Sequence, residues 1–230
     1  IHIEGPFLNV ARKGIHDAAK FRQLGPAEIA LLSRPTGGKT LVTLAPEMLS
    51  PASIRALTDA GVTVSAGHSD ASAACIVEAL EHGLSGFTHL FNAMSQLGSR
   101  EPGVVGAALH DQGSWCGIIV DGHHVDPMTL RIALRAAPLH RFMLVSDAMP
   151  SVGGTRDWFM VGAERIRVGD GKCLSADGTL AGSHLDMAQA VRNCVALLGV
   201  ALADALAMAS AHPAAFLGLD GEVGRIAPGC

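Results

Sequence analysis

The sequence predicts an α/β fold in which parallel strands are joined by helical crossovers, and three observations carry that expectation. Six short apolar stretches alternate with helical or long irregular segments at the spacing of βα units. Of 230 residues, 49% are hydrophobic, enough to bury a sizeable core. Every strand ends in an ionisable side chain: Glu4, Glu47, His68, His89, His124 and Asp147. A parallel barrel brings those ends to one face. The alternative, an open doubly wound sheet, loses ground because no G-x-G-x-x-G follows a strand. No internal repeat or low-complexity linker divides the chain.

The first strand is Ile1-His2-Ile3, left through Glu4-Gly5-Pro6-Phe7. A long irregular loop runs through Arg12-Lys13-Gly14-Ile15-His16-Asp17. A helix is expected over 26–33, with Pro26 in its first turn. The second strand, 40–44, ends at Ala45-Pro46-Glu47. Ser50 caps a helix that starts at Pro51 and stops before Gly61. Strand 62–66 ends in Gly67-His68-Ser69-Asp70, and helix 71–81 closes at His82-Gly83. Strand 86–88 delivers His89 into a polar loop, Leu90-Phe91-Asn92-Ala93-Met94, which continues to Arg100-Glu101-Pro102-Gly103. Strand 115–120 ends in Asp121-Gly122-His123-His124, and Asp126-Pro127 opens a helix to residue 137. Strand 142–145 ends in Ser146-Asp147-Ala148. The pattern then changes to a β-hairpin over 160–174, turning at Gly169-Asp170-Gly171. Thr179-Leu180-Ala181-Gly182-Ser183 reads as a loop. Apolar helices follow over 185–198 and 202–211, with a short one over 214–217.

Six strand exits drawn only from Glu, His and Asp are hard to explain by structural need, because burying such groups unpaired costs several kcal/mol each. A carboxylate and two histidines from separate strands suit a catalytic zinc-type site with a position left open. A further carboxylate nearby, Asp147, suits a general base. The chemistry is metal-assisted hydrolysis. Spacing does not choose between Glu4 and Glu47 as ligand, or between His123 and His124 as the inward histidine.

Composition excludes other classes. No apolar run reaches about 18 residues, so no membrane span is expected. Net charge is -4 with no basic block, which argues against nucleic acid as partner. The five cysteines (Cys75, Cys116, Cys173, Cys194, Cys230) are scattered, without C-x-x-C spacing. A reducing cytoplasm is expected rather than a disulfide framework. The chain opens inside a strand without an initiator Met. It ends at Ala227-Pro228-Gly229-Cys230, read as a turn. A piece of a longer protein is expected.

Seven stretches, in order, resemble the N-acetylglucosamine-6-phosphate deacetylase family of metal-dependent amidohydrolases. They are His2-Ile3-Glu4-Gly5-Pro6-Phe7-Leu8-Asn9, Lys13-Gly14-Ile15-His16, Ala66-Gly67-His68-Ser69, the His89 loop with Arg100-Glu101-Pro102-Gly103, Asp121-Gly122-His123-His124-Val125-Asp126, Ser146-Asp147-Ala148 and Leu180-Ala181-Gly182-Ser183. Together they span essentially the whole chain.

The resemblance implies a distorted (β/α)8 TIM-type barrel with a small β-sandwich, here lacking the first strand and most of the sandwich. Residues 1–230 would form the catalytic barrel piece, with a β-hairpin insertion near 158–176. It implies one divalent metal per subunit, zinc by preference, held by Glu4, His68 and His89, which leaves Glu47 a structural part or a support behind the ligands. Asp147 is then the proton carrier and His16 the group that polarises the amide carbonyl. Ile15, Asn92, Ala93, His124, Ala181, Gly182 and Ser183 are implied substrate contacts. Arg100 is implied to reach the phosphate in the neighbouring subunit of a homodimer. The superfamily's His-x-His pair would lie upstream of Ile1, so a second metal site stays open. The implied reaction is deacetylation of a phosphorylated amino sugar in the cytoplasm. Competing readings are another amidohydrolase, such as a cyclic-amide hydrolase, which needs no phosphate-reading arginine, and an inactive fragment. Against the second, no ligand or acid–base residue is lost.

Overall fold

The computed structural model describes residues 1–34 and 37–228; Cys230 and the end of the terminal turn lie outside them. Six parallel strands form one sheet: β1 (His2–Glu4), β2 (Leu41–Leu44), β3 (Thr63–Ala66), β4 (Gly86–Phe87), β5 (Trp115–Ile118) and β6 (Phe142–Leu144). Their order in space is their order in sequence. A doubly wound sheet reverses direction at a switch point, and this sheet has none. Strand interiors such as Val42, Leu44, Val64, Phe87, Ile118 and Phe142 are fully buried, as sheets covered on both faces require.

Helices join the strands: α1 (Pro26–Leu32), α2 (Pro51–Asp59), α3 (Ala73–Glu81), α4 (Gly103–His110) and α5 (Pro127–Ala136). The expected caps are present. Ser50 Oγ accepts the N–H of Ser53 at 3.3 Å, and Asp126 Oδ1 accepts that of Met128 at 2.7 Å. α3 starts two residues later than the spacing predicts, because Ser72 caps it.

α4 corrects the sequence reading, which left this stretch as loop. Gly103, Val104, Val105 and Gly106 are weak helix formers, and no polar face alternates with an apolar one. Burial on all sides holds the helix, with residues 103 to 109 all buried. Gly106 is required there, since a Cβ would stand 2.4 Å from Pro102 Cβ.

After β6 come four antiparallel strands, β7 (Trp158–Val161), β8 (Glu164–Gly169), β9 (Lys172–Leu174) and β10 (Leu180–Ser183), in spatial order β10-β9-β8-β7. β8 and β9 turn at Asp170-Gly171. β10 is a second correction, since the sequence predicts a loop there. Its register shifts between Leu180 and Ser183, and Gly182 sits at φ 73. A small core of Ile166, Cys173 and Ala181 underlies this sheet, and Ile15 and Met149 pack against it from the loops after β1 and β6. Three helices end the chain: α6 (Met187–Leu198), α7 (Leu202–Ala209) and α8 (Ala211–Phe216). Among the described residues, Cys75, Cys116, Cys173 and Cys194 are free thiols.

Candidate metal centre

Strand register sets the heights of the candidate ligands. Ser65 of β3 pairs with Gly86 of β4. His68 and His89 each lie three residues further on, so they leave the sheet at one level. Glu4 ends β1, paired with Thr43, which pairs in turn with Ser65. Its longer side chain reaches up to the histidines.

The three side chains meet. Glu4 Oε1 is 2.9 Å from His68 Nε2 and 2.9 Å from His89 Nε2, and the two Nε2 atoms are 3.1 Å apart. His68 Nδ1 lies 2.8 Å from the carbonyl oxygen of Arg12. A carbonyl only accepts, so Nδ1 carries the proton and Nε2 turns a lone pair inward. Arg12 is itself held by an ion pair with Asp70 at 2.7 Å. His89 Nδ1 is buried with no hydrogen-bond partner among the described residues. Two imidazole nitrogens and a carboxylate oxygen thus face one point, and with neutral rings only His89 can bring a proton there.

That donor set fits a divalent cation. Ligand atoms about 2.0–2.2 Å from a tetrahedral ion sit about 3.3–3.6 Å apart, a few tenths of an ångström wider than these. The electrostatics agree. Burial raises the Glu4 carboxyl, but the His68 and His89 rings against it outweigh that and hold it well below the carboxylate range. Burial lowers His89, yet the hydrogen bond and charge of Glu4 raise it overall. The space stabilises positive charge.

His16 stands beside the cluster, with its ring edge-on to His68 at 4.6 Å. Glu4, His16 and His68 also offer ligand atoms within 4.8 Å of one another. The Glu4, His68 and His89 set is tighter. Burial first, then the His68 charge, lowers the His16 pKa, which favours the neutral ring. Asp147, at the exit of β6, is raised above the ordinary carboxylate range by burial, against the pull of His89.

His68, His89 and Asp147 have φ of 50, 34 and 48°, as do Phe91 at 79° and Ala93 at 48°. Non-glycine residues in this left-handed region cost of order 1 kcal/mol or more, and such strain clusters at functional sites.

The other candidates are distributed round the same face. Of the adjacent histidines, His124 is half-buried against Asp121, with Nδ1 2.5 Å from Oδ2. His123 is exposed and lies against the β8–β9 turn, 3.2 Å from where a Gly171 Cβ would stand. Asn92 folds back on its own loop, donating to the carbonyls of His89 and Leu90 at 3.2 and 3.4 Å. The carbonyl of Ala93 accepts the N–H of Ser69 at 3.1 Å. Arg100 is exposed on a turn closed by Gly98 N–H to the Glu101 carbonyl at 3.0 Å. Ile15 spends its side chain on the small core, and Ala181 is buried there too. The Ser183 hydroxyl donates to the Ser146 carbonyl and accepts from Leu185 N–H. Residues 181–183 therefore present main chain rather than side chains.

The sequence assigns Asp121 no part, and it leaves Glu47 as a structural part or a support behind the ligands. Asp121 orients His124, and Glu47 collects donors from two neighbouring loops. The Asp-Gly-His-His stretch did hold a signal for the first, since Asp commonly accepts backbone N–H groups two and three residues on. A cavity of about 580 Å³ opens between the loop after β6 and β7, lined by Ser151, Arg156, Trp158 and Phe159. None of the converging ligands lines it, so it does not mark this centre.

The amidohydrolase family profile matches residues 1–230. The N-acetylgalactosamine-6-phosphate deacetylase of Shewanella sp. (strain ANA-3) is 44% identical over 230 residues, covering 100% of this chain and 58% of its own length. The N-acetylglucosamine-6-phosphate deacetylase of Bos taurus is 38% identical over 237 residues, covering 98% of this chain and 58% of its own. The crystal structure of N-acetylglucosamine-6-phosphate deacetylase from Pasteurella multocida superposes with a TM-score of 0.95 at 36% identity, over 100% of this chain and 60% of that one. This chain thus spans about 58% of the length of those curated relatives. By the match along its whole length, the chain belongs to the amidohydrolase family.

Proposed function

We propose that this chain is the catalytic part of a metal-dependent deacetylase that hydrolyses N-acetylglucosamine 6-phosphate to glucosamine 6-phosphate and acetate. The observation that carries the reading is the convergence of Glu4, His68 and His89 within 2.9–3.1 Å, with Asp147 at the exit of β6. Glu4, His68 and His89 would hold one zinc ion per subunit, which when bound supplies a Lewis acid and eases deprotonation of water.

The remaining steps belong to the chain. Asp147 takes a proton from the attacking water and later returns it to the departing amine. Its raised pKa brings it nearer to what a group that must both accept and give needs. His16 hydrogen-bonds the amide carbonyl where negative charge develops. Asn92, Ala93 and His124 hold the sugar phosphate, and Ile15 and the main chain of 181–183 complete the sugar site. Arg100 reaches the phosphate in the neighbouring subunit of a homodimer. In the complete protein the open sheet is part of a distorted (β/α)8 barrel, and the enzyme works in the cytoplasm. No helix among the described residues is long and apolar enough to cross a membrane.

The galactosamine epimer is a second reading, favoured by relatives of that name at 44% and 39% identity. The structure of a mutant N-acetyl-D-glucosamine-6-phosphate deacetylase from Mycobacterium smegmatis in complex with N-acetyl-D-glucosamine-6-phosphate, at a TM-score of 0.87 and 35% identity, supports the glucosamine form. Metal analysis combined with turnover of both 6-phosphates and of unphosphorylated N-acetylglucosamine tests the proposal. One zinc per chain and a strong preference for the phosphorylated glucosamine sugar are expected. A metal-free chain that turns over none of them would defeat it, and preference for the galactosamine sugar would transfer it to the epimer.

A further inference from the structure

Glu47 stands at the exit of β2, outside the ligand cluster, yet three hydrogen bonds end on its carboxylate. Oε1 accepts from Asn9 Nδ2 at 2.9 Å and from the backbone N–H of Asp70 at 2.6 Å. Oε2 accepts from the Ser69 hydroxyl at 2.7 Å. These donors come from the loops after β1 and β3, the two strands that deliver Glu4 and His68. The same loops are joined directly, through Asn9 N–H to the His68 carbonyl at 3.0 Å. On its far side Ser69 exchanges two backbone hydrogen bonds with the loop after β4, to Ala93 at 3.1 Å and from Ser95 at 3.0 Å. Between these clamps His68 sits at φ 50. A histidine has no reason of its own to stay in that conformation, so its surroundings must enforce it.

We propose that Glu47 is a positioning residue: its carboxylate fixes the turn at 68–70 so that His68 Nε2 faces Glu4 and His89, and so sets the affinity of the centre for its divalent ion. The inference rests on the metal-centre reading above and adds to it a residue that ligates nothing. Its rival is electrostatic: a nearby negative charge attracts a cation whatever its reach. The two make opposite demands on substitutions. Glu47→Gln keeps length and acceptor and loses charge. Its oxygen can still serve Asn9 and Asp70, and its amide can donate to the Ser69 oxygen. Glu47→Asp keeps charge and falls one methylene short of the three donors.

The test is the zinc dissociation constant by chelator competition, with the visible spectrum of the cobalt-substituted chain and the thermal midpoint of the metal-free chain. Glu47→Gln should bind within about three-fold of wild type and keep the cobalt spectrum. Glu47→Asp should bind roughly 10- to 100-fold more weakly, the range seen when outer partners of metal ligands are lost, and shift the spectrum. Ser69→Ala removes one donor and should weaken binding several-fold, so the proposal remains testable if Glu47→Asp does not fold. The reverse ranking, with Asp tight and Gln weak, overturns positioning in favour of charge. Wild-type affinity in all three variants removes Glu47 from the centre. A wild-type chain that binds no divalent ion overturns the metal-centre reading itself, and this inference with it.

Discussion

Asp121 Oδ2 lies 2.5 Å from His124 Nδ1, and Oδ1 of the same carboxylate accepts the backbone N–H groups of His123 and His124 at 2.8 and 2.9 Å. An ionised carboxylate only accepts, so Nδ1 of His124 carries a proton and Nε2 is the free nitrogen. Asp121→Asn should invert this. The two backbone donors keep the amide oxygen on their side, which places the NH₂ against Nδ1 and moves the proton of a neutral ring to Nε2. Imidazole ¹⁵N shifts read the change directly. A pyridine-like Nδ1 in the variant is expected, with kcat/KM for the phosphorylated sugar down roughly ten-fold, because Nε2 then no longer accepts from a sugar hydroxyl. An unchanged tautomer would mean that Asp121 does not set it, whereas a switched tautomer with full activity would take His124 out of the substrate site.

The same pair predicts a pH dependence of stability. Burial alone would raise the Asp121 carboxyl, but the His124 ring and the two backbone N–H groups bring it down to about 2. A depressed carboxylate contributes stability that is present above its unfolded value, near 4, and is lost as pH falls through about 2. The gap in unfolding free energy between wild type and Asp121→Asn should therefore narrow by about 1–2 kcal/mol between pH 5 and pH 2, after allowance for solvent screening. Parallel denaturant midpoints across that range would show the carboxylate to be as free folded as unfolded.

What could be read from the sequence follows from how local each cause is. The six parallel strands were legible because apolar runs end abruptly in Gly, His or Asp, and the same endings drew attention to Glu4, His68 and His89, whose side chains meet. α4 was not legible, since a helix buried on every face has no amphipathic period. β10 was missed because Gly182 at positive φ and a strand-end Ser look like loop chemistry. The choice of His124 over His123 turned on side-chain direction, which two adjacent residues of one type do not reveal. The part played by Glu47 depends on donors 38, 22 and 23 residues away in the chain. No spacing rule reaches that far, and only strand register brings them together.

Asp147→Asn tests the proposed proton carrier. The amide cannot accept a proton from the attacking water, and general acid–base help is worth roughly 10²- to 10⁴-fold. Asp147 is absent from the Glu4, His68 and His89 contacts, so metal content should stay at the wild-type level. Turnover and metal stoichiometry, measured on the same preparation, separate the two roles. Loss of both together would make Asp147 a ligand, and near-normal turnover would exclude it from the mechanism.

Arg100 tests phosphate recognition and assembly at once. It is exposed, and its turn is anchored by Glu101, whose Oε1 accepts the N–H groups of Ala73 and Gly103 at 2.7 and 3.0 Å. The guanidinium is thus presented outward from a fixed base, with a planar fork suited to a phosphate. Arg100→Ala should raise KM for the 6-phosphate sugar and leave the poor turnover of the unphosphorylated sugar unchanged, because that substrate never used the contact. A hydrogen bond to a charged group contributes about 1.5–3 kcal/mol, so kcat/KM should fall roughly ten- to a hundred-fold. Equal losses on both sugars would make Arg100 structural. Mixing decides whether the contact crosses subunits. A dimer of one Arg100→Ala chain and one Asp147→Asn chain pairs an intact Asp147 with an arginine from its neighbour, so one complete site forms where neither parent has any. At low substrate, kcat/KM of the mixture should therefore rise above that of either parent after subunit exchange. If it stays no higher than the parents' while light scattering shows exchanged dimers, Arg100 serves its own subunit. If the active protein is a monomer, the phosphate contact stands without the partner.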